Sequence, residues 1–362
     1  MHHHQPVLLP LPFEDAAPSK RLRLVHATVV IRHGLRTPLQ KLDDVAWDCS
    51  TSRVLHALDY GGGVPRALFV LRPVLFQSDL AGSCALGQLT RLGFEQHQRL
   101  GTMLRARYVE RLGLLPAAFV PGTLYVRSSQ YDRTIASAQA LLSGLYPVRD
   151  QEITINIRHP RHENLYPRED PSCPALLSMF RKLSSPFRLY YHKYQAQELI
   201  TTLETLALHG HPAPRDAPPL DEVHRQAARD HAALYGNASL SRLAIGNLLA
   251  ELWGGMVQPT AKLRLFSAHD TTLLPLLGCL QQMPPGGLEH PPCASSLIFE
   301  VYEEEEDRAQ RHVAVWYNSR PLQLKELTAS VAPGYFKLEH VARLVEPLLL
   351  TDEHYNKLCH KT

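Results

Sequence analysis

Three short apolar runs stand out along the chain: Ala27-Thr28-Val29-Val30-Ile31, Gly122-Thr123-Leu124-Tyr125-Val126 and Leu263-Arg264-Leu265-Phe266. Near-continuous apolar runs of this length predict strands buried on both faces, as in a parallel sheet covered by helices. Each run stops at a polar cluster: Arg32-His33-Gly34, Arg127-Ser128-Ser129 and Ser267-Ala268-His269-Asp270. Between the first two, Thr90 to Glu95 leads into a helical pattern reaching about Tyr108, with Glu95 placed to help cap its start. Arg133 to Leu145 is rich in alanine and leucine and predicts a second helix, and the apolar run Leu273 to Leu280 follows the third cluster. Leu297 to Tyr302 and His312 to Tyr317 alternate like two antiparallel strands, joined by the acidic tip Glu303-Glu304-Glu305-Glu306-Asp307, which reads as a solvated turn.

The implied fold class is α/β: a mostly parallel central sheet flanked by helices, with an inserted, mainly helical cap domain. Residues 1–20, rich in proline and histidine, read as a loose leader. Residues 21–150 and 240–362 carry the alternating pattern of the core, and 151–239, with 61–80, suit a cap over the strand ends. In an open α/β sheet, ligands sit beyond the carboxyl ends of strands, so polar clusters far apart in sequence can meet at one site.

Composition narrows the function. Hydrophobic residues make up 44% and charged residues 20%, ordinary globular usage. A formal charge of +3, without a lysine or arginine block, argues against a nucleic-acid partner. No run approaches the ~18 apolar residues of a membrane span, and no basic region followed by an apolar core opens the chain. The compartment stays open: the secretory pathway (Golgi, lysosome or extracellular) if an upstream signal or anchor was removed, otherwise cytoplasmic or mitochondrial. His2, His3 and His4 fit a tag remnant or a native histidine run equally. Six cysteines lack the close pairs of zinc sites; their even number fits disulfides, and free buried thiols fit as well. Asn237-Ala238-Ser239 matches an N-glycosylation acceptor.

The chemistry is concentrated in Arg32-His33-Gly34-Leu35-Arg36-Thr37-Pro38, which puts two guanidinium groups around an imidazole where a strand ends. Arginine offers planar paired donors for phosphate oxygens, and a neutral imidazole nitrogen can attack phosphorus. Gly34 lets the backbone turn closely. Taken alone, Asp270 before Thr-Thr-Leu-Leu is equally a helix N-cap, and His269 a buried hydrogen-bonding residue. His26 and Thr28 read as packing or hydrogen-bonding residues, and His159 and His162 as surface residues of the cap.

Arg-His-Gly-x-Arg-x-Pro resembles the signature of the histidine acid phosphatases, a branch of the histidine phosphatase superfamily. A later strand-end His-Asp (His269-Asp270) and an intermediate arginine (Arg127, with Arg133 as the nearby alternative) occur in the family's order. The resemblance implies that His33 is the nucleophile, that Arg32, Arg36, Arg127 and His269 hold the phosphoryl oxygens, and that Asp270 protonates the leaving alcohol, which predicts an acidic optimum. It implies a small phosphate monoester as substrate and maps a cap-to-terminus disulfide onto Cys173 and Cys359; no P-loop or glycine-rich dinucleotide motif indicates a nucleotide cofactor, and the arginines provide the positive charge that would otherwise call for a metal. A homodimer is left open. Gly87-Gln88-Leu89-Thr90-x-x-Gly93, Arg105 to Tyr108, Leu297 to Glu300 and Tyr355-x-x-x-Cys359 look like the lysophosphatidic acid phosphatases and the 2-phosphoxylose phosphatases. Phytases are a sister alternative, and a silent phospho-ligand-binding protein is the alternative from another class.

Overall fold

In the computed structural model, residues 10–14, 21–40, 42, 45–49, 57–59, 66–68, 84–148, 151–167, 173–183, 196–215, 217–280, 290–324 and 327–360 are described. The first apolar run lies in β1 (Leu22–Arg32), followed by the short β2 (Ala57–Asp59) and β3 (Arg66–Leu68). Then come α1 (Arg91–Arg105), β4 (Leu124–Ser128), α2 (Asp132–Leu145) and β5 (Ile155–Ile157). The helices α3 (Pro174–Leu183), α4 (Ala196–Leu208), α5 (Leu220–Tyr235) and α6 (Ala238–Val257) precede β6 (Leu263–Ala268) and α7 (Asp270–Cys279). The chain ends with β7 (Ser296–Glu304), β8 (Arg311–Tyr317), β9 (Arg320–Pro321), β10 (Tyr335–Lys337), α8 (Leu338–Val345) and α9 (Asp352–Cys359).

One sheet runs β10-β8-β7-β1-β6-β4-β5-β3-β2, with β9 paired to β8. Its centre, β1-β6-β4-β5, is parallel, and antiparallel strands extend both edges. Side chains alternate across β1: Ala27, Val29 and Ile31 pack with Leu100, Leu104, Ile135 and Leu141 of α1 and α2, while Val30 packs with Leu248 and Leu252 of α6 and Leu273 and Leu276 of α7. Burial on both faces explains the near-continuous apolar runs. Ile155–Ile157, inside the 151–239 segment, lies in the sheet as β5, and of 61–80 only 66–68 is described, paired with β5.

Local expectations are refined. Thr90, not Glu95, caps α1, its hydroxyl accepting from Gly93 N at 3.1 Å; Glu95 pairs with Arg91 one turn away. Asn237 caps α6, its Oδ1 accepting from Leu240 N. The acidic tip divides: Glu303 and Glu304 belong to β7, and Glu304 is buried 2.9 Å from His312 Nε2. Of the expected leader, residues 10–14 are described, and Phe13 packs edge-on against Trp316 with its ring under the Arg107 guanidinium. Arg107 in turn reaches Glu300, which also accepts from Tyr108, Tyr302 and Trp316, so the Arg105 to Tyr108 and Leu297 to Glu300 segments meet in one buried, fully partnered carboxylate.

Cys173 is bonded to Cys359, joining the residue before α3 to the end of α9, and a second disulfide links Cys49 to Cys84; Cys279 and Cys293 are free and buried. The first bridge closes a separation of 186 residues. Chain-entropy arguments put its contribution near ~5 kcal/mol, so Cys173→Ala with Cys359→Ala should lower the melting temperature markedly, read by calorimetry. Burial pushes the His26 imidazole down to about 4 and His97 to about 3. Both stay neutral in the fold yet take up protons below about pH 6.5 once unfolded, so stability should fall as pH drops from 6.5 toward 4. His97→Gln should flatten that slope by about one proton in a pH series of thermal melts.

Candidate active site

The polar clusters meet because β6 lies between β1 and β4, all three parallel. His33 N donates to Ala268 O at 3.0 Å and Ser129 N to Ser267 O at 3.1 Å, stitching the three strand ends together. The His33 and His269 ring centroids are 5.7 Å apart. The motif loop is braced from both helices: Gly34 N donates to Ser137 Oγ, Leu35 N to Gln96 Oε1, and His97 Nε2 to Arg32 O. Gly34 is required by close approach rather than by its turn. A methyl group on Gly34 or Gly93 would collide with the backbone of the other segment, which is why α1 can seat its first turn against the loop.

His33 Nδ1 lies 2.9 Å from the Gly34 carbonyl, which can only accept, so Nδ1 carries the proton and a neutral ring leaves Nε2 with its lone pair. Burial, then Arg133, Arg32 and Arg36, hold His33 well below the ordinary histidine range. His269 is likewise depressed by burial and Arg133; its Nε2 sits 2.9 Å from Ser129 Oγ. Asp270 opens α7 as its first residue, with His269 at the cap position, and Oδ1 accepts from Thr271 N. Burial alone would raise its carboxyl, but Arg32 and His290 outweigh that and hold it well below the usual carboxylate range. Arg32 Nη2 is 3.0 Å and His290 Nε2 3.3 Å from Asp270 Oδ2.

A cavity of about 360 Å³ opens over these groups, lined by His33, Arg36, Arg133, Glu198, His269 and Asp270 among others, with Tyr131 and Tyr166 edge-on to His269. Arg36 forks onto Glu198 of α4, and its Nε and that of Arg133 are buried donors without an acceptor among the described residues. Burial and the neighbouring Arg36 lower Arg133 to about 10, so it is still charged at neutral and acidic pH. Crowded cations with spare donors describe an anion site.

Two expected ligands are placed differently. Arg127 does not line the cavity: it is fully buried in pairs with Glu163 and Glu251 and a bond to Asn164, whereas Arg133, at the second position of α2, does line it. Arg32 stands behind the cavity wall, bonded to Asp270, Thr201 Oγ1 and the Pro291 carbonyl. His159 and His162 stand apart from it on a short turn. Reading the sequence alone also missed Glu198, Thr201, Tyr166 and His290, for which no local pattern gives a signal. Among the described residues, no group of three or more histidine, cysteine, aspartate or glutamate side chains is placed to hold a metal ion, and no helix is long and apolar enough to cross a membrane.

The fold and site define an α/β enzyme with an anion pocket built around paired histidines at adjoining strand ends. The sequence profile of the histidine phosphatase superfamily (branch 2) matches residues 23–202 and 223–318, and the chain belongs to that family of phosphoric monoester hydrolases. It is 27% identical to lysophosphatidic acid phosphatase type 6 of Homo sapiens over 387 residues, covering 94% of this chain and 87% of that one. It is 28% identical to the lysosomal acid phosphatase of Rattus norvegicus, covering 74% of this chain and 71% of that one. The phytase of Citrobacter braakii superposes with a TM-score of 0.63 at 17% identity, covering 94% of this chain and 100% of that one, a likeness of fold.

The two arginines are separable by experiment. Arg133→Ala should weaken inhibition by inorganic phosphate by roughly 10-fold or more while leaving the melting temperature nearly unchanged. Arg127→Ala, which strands Glu163 in the interior, should instead cost about 3–5 kcal/mol of stability with little change in phosphate affinity of the folded fraction.

Proposed function

We propose that this protein is an acid phosphatase that hydrolyses small phosphate monoesters through a phosphohistidine intermediate on His33, with Asp270 as proton donor. The observation that carries the reading is His33 itself, a neutral ring with its proton held on Nδ1 and a wall of guanidinium donors beside it.

In the first step Nε2 of His33 bonds to phosphorus as the bond to the ester oxygen breaks, and Asp270 passes a proton to that oxygen. In the second, water loses a proton to Asp270 and attacks phosphorus, breaking the N–P bond and releasing phosphate. Arg36, Arg133 and His269 face the equatorial oxygens, where charge accumulates, and Arg32 adds its charge from behind. Asp270 is ionised in the free enzyme, so its proton must arrive with the substrate. A phosphate monoester retains one proton below about pH 6, and its monoanion can deliver it. The acidic optimum therefore follows from the substrate's titration joined to that of Asp270, while the depressed His33 stays nucleophilic in acid.

Glu198 in the cavity wall favours an ester bearing one phosphate over a polyphosphorylated inositol, because each further phosphate would approach a carboxylate. A phosphosugar such as 2-phosphoxylose and lysophosphatidic acid both meet that condition, and the second is the substrate named for the human relative. Of residues 151–239, the helices α3 to α5 are assigned to the cap that selects between them, α4 supplying Glu198, while β5 stays with the sheet. The two disulfides favour folding in an oxidising compartment.

His33→Ala should abolish release of phosphate from p-nitrophenyl phosphate at about pH 5 by about 10⁴-fold or more, while the fold and phosphate binding persist. Acid-labile labelling by a ³²P-phosphoester should vanish with it. Wild-type protein that binds phosphate without turning over any ester would establish the silent binding protein instead.

A further inference from the structure

The segment His290-Pro291-Pro292-Cys293-Ala294-Ser295 crosses the end of β1 and touches both halves of the site. Ala294 N donates to His33 O at 3.0 Å, Ser295 O accepts from Arg32 N at 2.9 Å, and Pro291 O accepts from the Arg32 guanidinium. Ala294 is held at φ 66°, a left-handed conformation that a non-glycine residue adopts only under constraint from its surroundings. At the head of this segment His290 is fully buried; its Nε2 stands 3.3 Å from Asp270 Oδ2, close enough for an ion pair but outside hydrogen-bond geometry, and its Nδ1 has no hydrogen-bond partner among the described residues. Its one close polar contact there is the carboxylate that acts on the leaving group.

We propose that His290 is a positioning residue for Asp270: it shares Oδ2 with Arg32, fixes the carboxylate plane, and favours the carboxylate that forms when the proton leaves for the ester oxygen. Oδ1 accepts from Thr271 N at 2.7 Å, so a group aimed at Oδ2 engages the carboxylate at its other oxygen. Arg32 cannot supply this alone, because its guanidinium is divided among Asp270, Thr201 and Pro291. The charged and titratable groups facing His290 are Asp270 of α7, Arg32 of β1, Glu204 of α4 and His231 of α5, whose ring lies 5.5 Å from that of His290 at 30°. Two of the four are carboxylates, and Glu204 is 3.2 Å from His224 Nε2, leaving Asp270 as the partner in reach. An imidazole N–H on Oδ2 steadies the anionic form and loses most of its value once Asp270 is protonated, which makes the carboxylic acid a readier donor.

The proposal rests on Asp270 as proton donor, and the experiment separates the two. Values of kcat/KM, which report the first phosphoryl transfer, are measured for 2,4-dinitrophenyl phosphate, whose leaving group needs no proton, and for glycerol 2-phosphate, whose leaving group does. Asp270→Asn sets the benchmark: a loss confined largely to the alkyl ester. His290→Phe should lose roughly 10- to 100-fold on the alkyl ester and under about 3-fold on the dinitrophenyl ester, with phosphate inhibition within about 2-fold of wild type. His290→Gln, which can return an N–H to Oδ2, should recover most of the loss. His290→Leu replaces the phenylalanine variant if that one does not fold. Equal losses on both esters, or a glutamine variant no better than phenylalanine, would reduce His290 to packing. Equal losses in Asp270→Asn would overturn the proton-donor reading and this one with it.

Discussion

The ion pair between Arg32 and Asp270 is the constraint on which the site depends. It joins the last residue of β1 to the first residue of α7, with Arg32 wholly buried and the Asp270 side chain 13% exposed. Two charges withdrawn this far from water are tolerable only when paired and hydrogen-bonded, and breaking either side strands the other. Because β1 and β6 are neighbours in register, Arg32 opposite Ala268, the pair closes over a distance the sheet has already set. Everything nearer the substrate inherits that spacing: His33 and His269 follow the paired strands by one residue each.

Around this pair the balance of charge decides the chemistry. Arg36 and Arg133 crowd the cavity, while His33 and His269 are kept neutral by burial and by those same guanidinium groups. The arginines therefore do two things at once. They make the cavity cationic, and with burial they disfavour a proton on either imidazole. Glu198 pairs with Arg36, so helix α4 contributes a carboxylate to the cavity wall.

Much of this was legible in the sequence, and the omissions have physical causes. Three apolar runs ending in polar clusters imply adjoining strand ends, since burial on both faces leaves the carboxyl edge as the place for charge, and the structure pairs those strands in parallel. Between Arg127 and Arg133 one sequence does not show which guanidinium points inward, because that depends on which face of the sheet each side chain takes. Val126 packs against α1 and α2, so the next side chain turns to the opposite face, where α6 brings Glu251. Arg133, the alternative beside it, lines the cavity from the second position of α2, a placement that shows only once the strand before it is known to end at the pocket. Glu198 and His290 come from segments with no period or motif to mark them, and only the folded chain brings them to Arg36 and Asp270.

The cost of such a site is carried elsewhere in the molecule. Neutral buried histidines favour unfolding as the pH falls, because the unfolded chain takes the protons that the interior refuses. A fold that keeps these histidines neutral as the pH falls thus needs stability that does not titrate in the same range. A covalent bridge across 186 residues supplies it without any ionisable group, and the two helix-covered faces of the sheet supply more through apolar burial. The Glu300 hub adds a buried carboxylate bonded to one arginine, two phenols and an indole. His33, His269 and His290 gather at the carboxyl edge of the sheet, around the cavity, whereas the disulfide and the apolar faces carry no ionisable group.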